Sequence, residues 1–124
     1  MNATTLAEHA YGQSRRSMPT PRGSEYEAFA HATRRLVSAS NAPTNITTMA
    51  HALHENRRLW TVIAASVADE SNALPEELRA QIFYLSEYVQ HHSRDVLKGN
   101  ASVDALIDIN QSMMQGLRGI EGTA

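Results

Sequence analysis

The chain contains no cysteine, which excludes disulfides and thiolate metal sites and fits a reducing compartment. It has no long block of like charges, and its formal net charge is only −2 at pH 7. Sequence-independent nucleic-acid binding wants a basic face, so direct contact with DNA or RNA is not expected. Every apolar run is far shorter than the ~18 residues that suggest a membrane span, and no membrane partner is expected. The first residues show neither a basic start nor an apolar core, so no secretory signal is expected and the cytoplasm is the expected location.

Chemical motifs are equally scarce. There is no nucleophile elbow, no glycine-rich phosphate loop and no H-E-x-x-H. His51 and His54 share a helical face, but a zinc site needs a third ligand. His91 and His92 are adjacent and point about 100° apart, so they do not converge. Neither catalysis, a metal nor a cofactor is expected.

What is present is a globular composition, 42% apolar and 19% charged over 124 residues. One domain of this size buries about two thirds of its unfolded surface. Residues 1–23 read as an N-terminal tail, where Thr4 to Tyr11 has the makings of a short helix. Gly12, Pro19, Pro21 and Gly23 forbid anything longer. Residues 24–124 read as an all-α compact bundle of about four helices.

The first helix is predicted from a capping box, Ser24 with Glu27, to about Ser40, with Tyr26, Phe29, Leu36 and Val37 on its apolar face. The second follows the cap Asn45 and ends near Ala68. The third opens with Pro75 at its first position, before Glu76 and Glu77. Its seam is Leu78, Ile82, Leu85, Val89, His92 and Val96, and Gly99 ends it. The fourth carries Val103, Leu106, Asn110, Met113 and Leu117. About six residues join helices two and three, which favours an antiparallel pair.

Each helix has one polar residue in its seam: Thr33, Asn56, His92 and Asn110. Asn56 interrupts the stripe of Met49, Leu53, Trp60, Ile63 and Val67. A buried amide without partners costs roughly 1–3 kcal/mol. Asn56 and Asn110 therefore either bond across the core and fix helix register, or line a groove that takes a partner's backbone. Trp60 is a core residue or a binding hot spot beside Arg57. Met113 and Met114 are core filling or an adaptable binding surface.

Three blocks then bring a family into view: N-R-R-L-W-T from Asn56, N-A-L-P-E-E-L-R-A from Asn72, and L-I-D-I-N-Q-S-M-M-Q-G-L from Leu106. In their order and separation they resemble the FlaF family of flagellar biosynthesis regulators, and with Ala10-Tyr11 they touch most of the chain. The Ala-Tyr pair otherwise reads as a tyrosine that anchors a loose tail. The resemblance implies a cytoplasmic flagellin chaperone, which keeps aggregation-prone helical ends covered and delivers flagellin for export. A second class is a post-transcriptional regulator of flagellin expression that acts with another flagellar regulator. A third is a structural helical adaptor.

The expected docking site is the junction of the second helix with the entry of the third. Its residues are Asn56, Arg57, Leu59, Trp60, Leu74, Leu78 and Arg79, with Asn110, Met113 and Leu117 from the fourth helix. Arg79 would meet a partner carboxylate there or, in the self-contained alternative, pair with Glu76 on its own helix.

Overall fold

Helix boundaries follow local chemistry closely. The computed structural model describes residues 22–42 and 44–123, with side-chain surroundings for 25–42 and 44–116. Residues 1–21 of the tail, the Ala10-Tyr11 pair among them, lie outside the described residues, as do Pro43 and the side chains of Ser24 and Leu117. Four helices span Arg22–Ser40 (α1), Ile46–Ala68 (α2), Glu76–Leu97 (α3) and Asp104–Thr123 (α4), with no strand among the described residues. Helix α1 begins two residues before Ser24, so Ser24 lies within the helix rather than at its expected cap.

Asn45 caps α2 as expected, accepting from the Thr48 amide at 3.1 Å. The helix ends at Ala68, before the acidic Asp69 and Glu70 that its dipole disfavours there. Pro75 sits one position earlier than expected, as the cap of α3 with ψ 142°. The bend before it comes from Asn72, whose Oδ1 accepts the Leu74 amide at 2.9 Å. Gly99, at φ +81°, closes α3. Its amide bonds Val96 O and the Asn100 amide bonds Asp95 O, the paired pattern of a left-handed helix stop. Ser102 Oγ accepts the Asp104 amide at the start of α4.

The antiparallel pair α2–α3 has the most extensive contact in the bundle. Helix α1 packs against both α2 and α4, whereas α3 and α4 touch sparingly. The core combines Phe29, Leu36, Leu53, Trp60, Ile82, Val89, Leu106 and Met113 with smaller side chains. Polar residues are embedded in it at Thr33, Asn56, Ser86, Ser93 and Asn110.

Two of the predicted seams are rotated. On α3 the buried row is Leu78, Ile82, Ser86, Val89 and Ser93, while Leu85, His92 and Val96 are half-buried. Serine fits inside because its hydroxyl bonds its own helix: Ser86 Oγ donates to Phe83 O at 2.8 Å and Ser93 Oγ to Val89 O at 2.6 Å. The small side chains leave room for close packing. His92 instead lies at the rim, its Nε2 2.8 Å from Ser102 O in the α3–α4 connection. On α1, Val37 is exposed and Ala39 takes the inward place.

Candidate functional site

Asn56 lies three residues after Leu53 and four before Trp60, so α2 turns all three inward. Asn110 holds the matching place on α4, between Leu106 and Met113. The Trp60 Nε1–H donates to Asn110 Oδ1 at 3.0 Å, and Asn110 Nδ2 donates to Asn56 Oδ1 at 2.7 Å. An indole can only donate, so it fixes the orientation of both amides. The chain of bonds ends at Asn56 Nδ2, which is buried with no acceptor. Phe29 of α1 meets the indole edge-on, ring centroids 5.7 Å apart. Thr33 Oγ1 donates to Phe29 O at 2.6 Å and lies 3.8 Å from Met114 Sδ. Three helices are thus keyed to one tryptophan. Amides and indole do not titrate near neutral pH, so this network sets helix register rather than moving protons.

The next residue, Arg57, points the other way. Its Nε donates to Gln90 Oε1 on α3 at 2.9 Å. Gln90 Nε2 donates in return to Arg57 O and to Thr61 Oγ1, both at 3.1 Å. Arg79 serves as a tie between helices. Its Nη1 donates to Val67 O at 3.4 Å and Asp69 O at 3.2 Å, which joins the α3 entry to the end of α2. It does not pair with Glu76. Its Nε is buried and unpartnered. Below it, hydrogen bonds from the Ser71 amide and hydroxyl, helped by the Arg79 charge, hold the Asp69 carboxyl below the usual range. Burial pushes Glu25, near the start of α1, up to about 7.

The structure therefore divides the expected site. Asn56, Trp60, Asn110 and Met113 are fully enclosed, Leu74 and Leu78 are buried, and Leu59 packs half-buried on the core. Arg57 and Arg79 are half-buried at different points of the α2–α3 pair. Leu117 belongs to α4 by its backbone, and its side chain is outside the described set. The uncovered apolar groups lie elsewhere: Phe83, Tyr84 and Tyr88 on α3 are 39%, 70% and 40% exposed, Val62 on α2 is 68% exposed, and Val37, Ile46 and Leu97 are exposed apart from them. Tyr88 also stacks on His92. Neither this aromatic strip nor Gln90 was expected from the sequence. The strip had a signal in Phe83-Tyr84 and Tyr88, close-spaced aromatics off the apolar seam. Gln90 had none, because its partners are 33 and 29 residues away.

A cleft of ≈ 480 Å³ opens at the end holding both the α1–α2 and α3–α4 connections, with Ile46, Met49, Val96 and Leu97 among its walls. Among the described residues no three His, Asp or Glu side chains gather as a metal site, and no helix is long and apolar enough to cross a membrane.

Fold and site define a small all-helical protein whose core is keyed by a buried amide–indole network and whose outer face carries aromatics. The chain belongs to the FlaF family: the model of flagellar protein FlaF matches residues 7–117. No curated protein and no solved structure matches the chain.

Proposed function

We propose that the protein is a cytoplasmic flagellin-binding export chaperone, which covers an amphipathic helical end of new flagellin and so supports secretion and filament assembly. The observation that carries this reading is the aromatic strip Phe83, Tyr84 and Tyr88, left uncovered on α3 in a chain of a flagellar family. Aromatic side chains present large apolar area at little entropic cost and are enriched where proteins bind one another. An amphipathic helix laid along such a face is a common mode of recognition. Binding of this kind requires neither cofactor nor catalytic group.

The docking surface proposed from the structure is the outer face of the α2–α3 pair. It keeps the helix pair expected from the sequence and changes the contact residues. Asn56, Trp60, Asn110 and Met113 support that face from within, because they hold α2 and α4 in place. Arg57 stands at its edge.

Calorimetric titration with monomeric flagellin tests the proposal. Wild type is expected to bind, and Tyr84→Ser with Tyr88→Ser to lose about ten-fold or more in affinity while keeping its helical circular dichroism. Unchanged affinity in that folded double variant would remove the aromatic strip as the site. Co-purification of a regulator or an RNA in place of flagellin would select the expression-regulator reading.

A further inference from the structure

Arg57 differs from the other anchored arginines in what remains free. Arg35 is engaged by Glu55 at 3.0 Å, and Arg79 turns inward to cap α2. Arg57 is gripped only through Nε, by Gln90. Its two terminal amino groups take no hydrogen bond or ion pair among the described residues, and neither is a buried orphan. Both amide hydrogens of Gln90 are in use, on Arg57 O and Thr61 Oγ1, and its oxygen accepts the Arg57 Nε–H. The guanidinium is therefore held in one orientation at low entropic cost before any partner arrives.

The surroundings indicate what it would hold. Gln90 lies seven residues after Phe83, on the same flank of α3, so Arg57 stands beside the Phe83 edge of the strip, whereas Tyr84 and Tyr88 turn roughly 120° and 160° away from Gln90 around the helix. Arg58 beside it and Arg94, one turn beyond Gln90, are exposed and have no ion-pair partner among the described residues. Glu87 is the acidic residue on this stretch of α3. The edge is thus predominantly basic in a chain of net charge −2, and its complement is an acidic group.

We propose that Gln90 is a positioning residue, holding Arg57 so that its two terminal amino groups receive a side-chain carboxylate from the flagellin helix where that helix passes the Phe83 edge of the α2–α3 face. This rests on the flagellin reading and adds the polar half of the recognition. The aromatics accept an apolar face, and the fixed guanidinium selects helices with a carboxylate at the matching edge. A paired, geometrically fixed contact of this type is stronger and more selective than a mobile surface charge.

The experiment is titration of monomeric flagellin into wild type, Arg57→Lys and Gln90→Met at two salt concentrations, with thermal unfolding of each protein alone. Arg57→Lys keeps the charge and loses the fork, and is expected to weaken binding about ten-fold, as loss of a charged hydrogen-bonding partner does. Gln90→Met leaves Arg57 intact but mobile, and is expected to weaken binding about three-fold or more. Both variants keep the positive charge, so the salt dependence should stay close to that of wild type while affinity falls and the melting temperature is unchanged; a purely structural role for Gln90 would instead lower the melting temperature. If Gln90→Met fails to fold, the conservative Arg57→Lys decides. Wild-type affinity in Arg57→Lys overturns the assignment and leaves the flagellin reading standing. Absence of binding by wild type overturns both.

Discussion

Asn56 and Arg57 are consecutive residues, and the bundle uses them in opposite ways. Asn56 is sealed inside, bonded to Asn110 across the core. Arg57 is tied to Gln90 on the flank of α3 and keeps its two terminal amino groups for solvent or a partner. A buried hydrogen bond is costly to break, because the stranded group has no water to turn to. A surface bond contributes little stability but can hold a charge in place. The interior network thus sets register, and the exterior clamp prepares a group for contact.

The sharpest way to break the interior half is Trp60→Ala, which empties the centre of the core and unpairs Asn110. It is expected to cost about 3–5 kcal/mol in denaturant unfolding, a large share of the ~5–15 kcal/mol typical of a domain. Next in size is the pair Asn56→Asp and Asn56→Leu. Aspartate would bury a charge and is expected to cost about 3 kcal/mol or more. Leucine removes the orphan Nδ2 but strands the amide of Asn110, exchanging one unpaired donor for another, so thermal unfolding should show it near wild type. Equal melting of the two variants would place Asn56 outside the core.

Arg79→Met lies between the two regions. It gives up two long bonds to the end of α2 and also removes the unpartnered Nε, so the expected loss is about 1 kcal/mol in denaturant unfolding. On the exterior, Gln90→Met should change stability by less than about 1 kcal/mol. A loss as large as that of Trp60→Ala would erase the distinction between network and clamp.

The last effect is expected from Glu25, and it depends on pH. Its carboxyl is raised in the fold from 4.5 to about 7 by burial, so the folded chain holds a proton that the unfolded chain has released. The contribution is fully favourable below about 4.5 and is lost as pH rises through about 7. Glu25→Gln should flatten the fall in melting temperature across that window and raise it above pH 7.

Much of the fold is legible in the sequence. Asn45, Ala68 and Gly99 mark helix ends by short-range rules, and the structure places the boundaries there. The polar interruptions at Asn56 and Asn110 read as candidates for a bond across the core, and they bond. On α3 the spacing misleads at Leu85 and His92, because an apolar stripe at mixed intervals of three and four admits more than one inward direction. Burying Ser86 and Ser93 runs against their polarity, and only their bonds to Phe83 O and Val89 O make it cheap. Trp60 and Arg57 together resemble a binding hot spot, yet three residues along a helix still differ in direction by about 60°. One seam position goes to the core and its neighbours to the flank.

By itself the sequence determined four helices, several of their ends and membership of the FlaF family, since each rests on local chemistry or on blocks that stand in the family's order. The tertiary structure alone decided which amides meet, which arginine turns inward and which aromatics stay outside. Those outcomes depend on how far each helix is rotated against its neighbours. That rotation is set by the summed packing of side chains many residues apart, and spacing within one helix does not contain it.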